Sequence, residues 1–407
     1  MSLEQGLRHY LIVTGGYWAF TLTDGAIRML VVLYFHLLGY TPFEVAMLFL
    51  FYEIFGIVTN LVGGWLGSRI GLNLTMHIGM GMQVVALSML MVPDAWLSVA
   101  YVMFAQALSG IAKDLNKMSA KASIKTLLPA YGSESRLFKW IAVLTGSKNA
   151  LKGVGFFVGA MLLQTLGFRG ALAVLAAGLF VVMLITMTLL PSQLGKSKSK
   201  PKFAQVFSKT PAINWLSAAR FFLFGARDVW FVVALPVYLY SVFDWSFMEV
   251  GGFLALWVIG YGLVQACAPR LIRHSHHGKG PDGNTARFWV FTLAFLPVLI
   301  ALGLHLELQP QLLLITGLII FGVVFAINSA LHSYLIVAWS ERDKVSMNVG
   351  FYYMANAGGR LAGTVLSGLI YQTQGLIGCL IWSGIFVVAA GVLSLRLPPA
   401  SIIGVGR

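Results

Sequence analysis

Apolar runs of about 20 residues or more, the length a helix needs to cross a bilayer, recur from one end of the chain to the other. Short polar breaks separate them. The pattern predicts helical spans at 12–38, 43–66, 75–92, 97–118, 139–163, 169–190, 212–241, 247–268, 287–304, 311–338, 347–371 and 376–396. The first run carries Asp24 and Arg28 and is too long for the apolar core of a cleaved leader, so it reads as the first of twelve spans.

The basic residues follow the alternation of these spans. Even-numbered connections and the two termini hold nineteen Lys and Arg, while the odd-numbered connections hold only Arg169. Loops rich in Lys and Arg are retained in the cytoplasm, so both termini and the central loop are expected there. One missed span would scramble the alternation. The count of twelve therefore has support from a feature that was not used to draw it.

The stretch Pro191–Pro211, with its Lys-Ser-Lys-Ser-Lys-Pro-Lys run, is the one long polar linker. It divides the chain into residues 1–190 and 212–407, a six-span half on each side of a basic linker at 191–211. The halves echo each other. Gly-Tyr-Thr-Pro-Phe-Glu44-Val45 parallels Asp-Trp-Ser-Phe-Met-Glu249-Val250. Asn149-Ala150 with Gln164-Thr165-Leu166-Gly167 parallels Asn356-Ala357 with Gln372-Thr373-Gln374-Gly375. Six plus six spans in parallel repeat is a transporter architecture, with substrate expected between the halves near the midplane.

Composition agrees. Of 407 residues, 58% are hydrophobic and 10% charged, with mean hydropathy +0.83. A soluble domain carries about 25% charged residues. The net charge of +14 would suggest nucleic acid in a soluble chain. Here the cytoplasmic loops account for it, and lipid replaces nucleic acid as the expected partner. Cys267 and Cys379 stand alone inside apolar runs and read as packing residues. His274, His276 and His277 read as part of a solvated loop rather than a metal site, and no cofactor is expected.

The charges that interrupt the spans change the picture most. Eight are basic: Arg28, Lys113, Lys117, Lys148, Lys152, Arg220, Arg227 and Arg360. Four are acidic: Asp24, Glu53, Asp114 and Asp228. Each costs about 2.5–3.5 kcal/mol at the bilayer centre even on a lenient scale, so they must face water, each other or a ligand. Spans three, six, nine and twelve hold none. Lys113 and Lys117 lie one helical turn apart, as do Lys148 and Lys152, and like charges so placed call for a carboxylate, water or an anion between them. Arginine forks grip tetrahedral oxyanions. Arg28, Lys113, Lys117, Lys148, Asn149, Lys152, Arg227 and Arg360 are therefore the candidate substrate contacts, for a small anionic metabolite with at least two negative charges. Structural ion pairs are the competing reading, with Arg227 pairing Asp228 or Asp24 and Lys113 pairing Asp114 on another helix. Asp24, Glu53, Asp114 and Asp228 are candidates for coupling or gating. Asn328, His332, Tyr352 and Asn356 read as helix–helix hydrogen-bond formers. Gly153, Gly155, Gly159, Gly358, Gly359 and Gly363 predict close crossings of spans five and eleven.

Gly64-Trp65-Leu66-Gly67-Ser68-Arg69-Ile70-Gly71 follows span two. It resembles the Gly-x-Leu-Ala-Asp-Arg-x-Gly loop signature of the major facilitator superfamily. Gly64, Leu66, Arg69 and Gly71 match, and Ser68 replaces the aspartate. The resemblance implies an all-α fold of two six-helix bundles, places spans three, six, nine and twelve against lipid, and makes Arg69 a gating candidate. The Ser68 replacement puts that loop's usual charge relay in doubt.

Four longer stretches carry a narrower likeness: Tyr17–Gly25, Leu50–Gly56 continuing to Thr59–Leu61, Ser109–Met118 and Thr145–Gly153. They resemble the ArsJ organoarsenical efflux permeases of bacteria. The resemblance implies a multi-pass protein of the bacterial inner membrane that exports 1-arseno-3-phosphoglycerate and so confers arsenate resistance. That ester forms when glyceraldehyde-3-phosphate dehydrogenase accepts arsenate in place of phosphate, which makes the dehydrogenase the functional partner. A cargo with an arsenate, a phosphate and no thiol-seeking arsenic suits a basic, cysteine-poor path. A phosphate-ester antiporter is the alternative. A proton-driven drug exporter would favour an acidic, apolar cavity. A lipid-phosphate enzyme would need a nucleophile or metal constellation, and no HExxH, GxSxG or carboxylate cluster is present.

Overall fold

The structure, a computed structural model, describes residues 3–40, 48–127, 134–191, 210–232, 234–245, 247–272, 280–341 and 344–399. Among these residues all regular structure is helical. The helices are α1 Leu3–Leu37, α2 Leu50–Ile70, α3 Leu72–Met89, α4 Val99–Leu127, α5 Glu134–Leu189, α6 Pro211–Phe231, α7 Ala234–Ser241, α8 Phe247–Leu271, α9 Gly283–His305, α10 Pro310–Ala338 and α11 Val345–Ser394. Glu44 and the His274–His277 run lie outside the described residues.

Two glycines reconcile these helices with twelve spans. In α5 the helix breaks at Gly167 (φ 69°, ψ 178°), and in α11 it breaks at Gly375 (φ 64°, ψ −166°). An L side chain in the left-handed region costs about 1–2 kcal/mol, so glycine suits both turns. They are the glycines of the two Gln-Thr-x-Gly repeats, and their dihedral angles agree closely. Each long helix is thus two spans, five with six and eleven with twelve.

Several boundaries differ from the sequence reading, among them the start of α1 at Leu3 and three that bear on the later spans or their charges. Span seven is described by two helices, α6 ending at Phe231 and α7 beginning at Ala234, and Pro236 has no N–H to offer the Val232 carbonyl. Helix α4 runs past the expected end at 118 to Leu127, which moves Lys121 from a connection into a helix, where it is buried. Helix α5 begins at Glu134, which takes in Lys139. Local caps fix two starts. Thr210 accepts from the Ile213 N–H ahead of Pro211, and Asp282 accepts from the Thr285 N–H at 3.0 Å.

The chain forms two compact units. One comprises Met1–Gly132, Ser147–Ser208 and Ser340–Met354, and the other Ser133–Gly146, Lys209–Trp339 and Ala355–Arg407. In the first, Ile27, Leu30, Val31 and Phe35 of α1 pack with Leu87, Val102 and Leu172. In the second, Trp230, Trp257, Phe321 and Phe325 form an aromatic core.

Spans three, six, nine and twelve turn large apolar side chains outward. Leu74, Ile78 and Val85 do so on α3, Val181 and Ile185 on span six, Phe288, Phe295 and Leu299 on α9, and Ile385, Val388 and Val392 on span twelve. Among the described residues, six stretches are long and apolar enough to cross a membrane by length and composition alone, and these include spans six, nine and twelve. The charge-bearing spans also expose apolar side chains, such as Val58 on α2 and Phe157 on span five, while they bury Asp24, Asp114, Arg220 and Asp228.

Glycine crossings hold the first and fifth spans of each unit together. A Cβ at Gly155 would lie 2.6 Å from the Leu22 carbonyl oxygen, and one at Gly159 2.6 Å from that of Ala26. In the second unit a Cβ at Gly359 would lie 2.0 Å from the Phe221 carbonyl oxygen, and one at Gly363 2.7 Å from that of Gly225. Backbones can approach this closely only where no side chain intervenes.

Candidate functional site

The span charges sit beside these crossings. In the first unit, Asp24 on α1 accepts a hydrogen bond from the Tyr52 hydroxyl on α2 at 2.6 Å and pairs with Lys152 Nζ on α5 at 3.3 Å. One turn along α1, Arg28 meets Glu53 at 3.5 Å. The Tyr52 ring takes two cations on its π system, with Lys113 Nζ 3.8 Å and Arg28 Cζ 4.9 Å from its centroid. On α4, Asp114 bonds Lys117 at 2.5 Å and lies 3.9 Å from Lys113. Lys117 and Lys121 both lie over the Tyr353 ring, at 4.2 and 5.1 Å. Seven of the candidate residues thus join into one network: Asp24, Arg28, Glu53, Lys113, Asp114, Lys117 and Lys152.

The second unit repeats the device. Asp228 on α6 accepts from Arg227 Nε at 2.6 Å and from Arg360 Nε on α11 at 3.1 Å. Arg227 also lies over Phe224, Phe231 and Phe325, at 5.1, 5.7 and 5.6 Å. Arg220 stacks 3.7 Å from the Phe224 centroid and donates Nε–H to Asn356 Oδ1 at 2.8 Å.

The ion-pair reading of single residues therefore describes all four carboxylates. Two details change. The carboxylate that Lys113 meets is Asp114 of its own helix, and the like-charged Lys113 and Lys117 are reconciled by that same Asp114. Asp24 and Glu53 have cations from other helices, Lys152 and Arg28, which no same-helix spacing revealed.

Pairing does not exhaust the positive charge. With Lys121 included, the first unit places six span cations against three carboxylates, and the second places three against one. The excess is three in the first and two in the second. Lys148 donates to Asn149 Oδ1 at 3.2 Å, and Arg220 to Asn356, so the repeated Asn-Ala pair meets a cation in both units. Buried charge on this scale is expensive without partners.

Not every candidate joins these clusters. Arg69 is exposed at the end of α2, with its guanidinium 5.0 Å from the Trp65 ring. Next to it Gly71 has φ 100°, which explains a glycine at the close of that signature. Asn328 donates to the carbonyls of Trp289 and Val324 and ties α10 to α9 as expected. Among the described residues His332 does not act as such a tie, since neither ring nitrogen has a hydrogen-bond partner there. Cys379 is buried as expected, but Cys267 is exposed on α8.

Sequence reasoning passed over Tyr52, Tyr353 and Lys121. Lys121 had a signal, since it continues the i, i+4 stripe of Lys113 and Lys117. It was hidden by ending the span at 118. The tyrosines had none, because an aromatic at helical spacing reads as core.

A polytopic helical protein of two units, each with charged residues held inside, defines a membrane transporter and not an enzyme. The chain belongs to the major facilitator superfamily, whose family model matches residues 13–304. No curated protein matches it. Among solved structures it is similar to the human organic anion transporter MFSD10, with TM-score 0.72, 17% identity, and 97% of this chain and 100% of that one covered. It is also similar to a bacterial homologue of the iron transporter ferroportin (TM-score 0.73, 14% identity, 95% and 98% covered). A third is the proton:xylose symporter XylE (TM-score 0.75, 12% identity, 98% and 97% covered). At these identities the likeness speaks for the fold alone.

Proposed function

We propose that this transporter exports a small organic anion with at least two negative charges, and that the cargo is 1-arseno-3-phosphoglycerate, which gives arsenate resistance. One observation carries the reading. After every buried carboxylate is paired, the first unit keeps three span cations in excess and the second two. An anionic cargo would balance them. The alternation of basic loops supports a bacterial inner-membrane orientation with both termini cytoplasmic. The four ArsJ-like stretches hold Asp24, Glu53, Lys113, Asp114, Lys117 and Lys152, six of the seven residues in the first unit's network. Alternating access is the mode of transport that fits this fold.

The test is growth of an arsenate-sensitive bacterium carrying the transporter, with and without its partner glyceraldehyde-3-phosphate dehydrogenase. Protection is expected only when both are present. Protection without the dehydrogenase would sink the arseno-ester assignment. Uptake of glycerol phosphate or phosphoglycerate by the intact transporter would favour a phosphate-ester antiporter instead.

A further inference from the structure

We propose that Arg220 and His332, both inside the second unit, form a subsite for one oxyanion end of the cargo, with Arg220 supplying charge and the imidazole a hydrogen bond. The proposal rests on the anionic-cargo reading and adds a location and two residues to it.

The geometry brings these side chains together. Ser217, Arg220, Phe224 and Arg227 fall at three- and four-residue steps along α6 and share a face. Phe224 packs on Phe325 with centroids 5.1 Å apart, and Arg227 lies over the same ring, so this face meets α10. Two turns beyond Phe325, the same face of α10 presents His332. As an odd and an even span, α6 and α10 run in opposite directions. Stepping back from Arg227 to Arg220 therefore matches stepping forward from Phe325 to His332. This register sets Arg220 and His332 at the same level of the α6–α10 interface.

The surroundings are built, not incidental. Arg220 is 3% exposed and His332 0%. Asn356 and Phe224 hold the Nε edge and one face of the guanidinium, which fixes the direction of its fork. Among the described residues, neither nitrogen of His332 has a hydrogen-bond partner, nor has the hydroxyl of buried Ser217 one turn before Arg220. A buried polar atom left unpaired costs stability, and native proteins hold few of them. Three such atoms beside a buried cation match a ligand that is negatively charged and has several acceptor oxygens. A phosphate- or arsenate-type group does this, and so does a carboxylate.

The purified full-length protein in detergent would be titrated with inorganic phosphate and with 3-phosphoglycerate, and acetate tested as competitor. Saturable binding is expected in the wild type. His332→Leu and Arg220→Met are each expected to weaken it about tenfold or more, as loss of a charge-assisted hydrogen bond implies. His332→Gln, which keeps a donor, should recover most of the affinity. If Arg220→Met does not fold, Arg220→Lys should bind weakly but measurably. Displacement by phosphate but not by acetate supports the subsite, since both ends of the proposed cargo are phosphate- or arsenate-type groups, and displacement by acetate alone would overturn it. A His332→Leu protein that binds as wild type and melts higher would mark the histidine as a core residue and overturn the proposal. So would a wild type that binds neither probe. Arsenate protection without the dehydrogenase, together with binding lost in His332→Leu, would overturn only the identity of the cargo.

Discussion

Lys152 on α5 reaches Asp24 on α1 at 3.3 Å, beside the crossing of Gly25 and Gly155. The second unit sets Arg360 against Asp228 at 3.1 Å, beside the crossing of Gly225 and Gly359. In both, a carboxylate on the first span meets a cation on the fifth where small residues let the backbones touch. The internal repeat thus reaches the level of chemistry.

Removing one partner of such a pair leaves the other charge buried alone. Asp24→Asn is expected to cost about 3–5 kcal/mol, read as a fall in melting temperature in detergent. Asp24→Asn combined with Lys152→Gln should recover most of the loss. A double variant whose losses simply add would show that the two side chains are independent.

Contact between α6 and α11 depends on Gly359. Its Cβ would stand 2.0 Å from the Phe221 carbonyl oxygen, so Gly359→Ala must push the helices apart, at a cost of about 1–3 kcal/mol or more. Gly368, on the same helix, has nothing within 4 Å of its Cβ. Gly368→Ala should be neutral or stabilising by up to about 1 kcal/mol. Equal melting temperatures for the two variants would contradict the crossing.

At Gly375 space is open but φ is 64°. Gly375→Ala should therefore cost about 1–2 kcal/mol from the backbone alone. Gly167→Ala should behave alike, and thermal denaturation of both would check the equivalence.

Tyr52 offers Asp24 a hydroxyl and two cations a ring. Tyr52→Phe removes only the hydrogen bond to a charged acceptor, about 1.5–3 kcal/mol. Tyr52→Leu should lose a further ~0.5–2 kcal/mol of cation–π attraction. If both variants melt at the same temperature, the ring contacts contribute nothing measurable.

Arg169 pairs with Asp94 at 3.1 Å, and both side chains are about half exposed, at 52% and 50%. Solvent screens such a pair, so Arg169→Ala should change stability by less than about 1 kcal/mol. A large loss would mean that the neighbouring Tyr34–Phe168 stack, at 4.0 Å, depends on it.

The spans, their number and the superfamily were legible in sequence because lipid imposes a long apolar run on every crossing. The twelve interior charges were legible for the same reason, since a charge stands out where lipid is the solvent. The glycine turns at Gly167 and Gly375 showed as a repeat before their dihedral angles were known. Which charge pairs with which was not legible. Glu53 meets Arg28, 25 residues away, and Asp24 meets Lys152, more than 100 residues away. Such contacts are set by how helices cross, and one-dimensional spacing reports only neighbours on a single helix. Nor could sequence separate Asn328 from His332. Both are lone polar residues on one apolar helix, and packing alone decided that the first finds carbonyls and the second, among the described residues, finds no hydrogen-bond partner. The sequence determined that charge is kept inside this protein, because lipid tolerates it nowhere else. The tertiary structure decided how much of it is neutralised, because an ion pair exists only where two side chains from different helices come within reach.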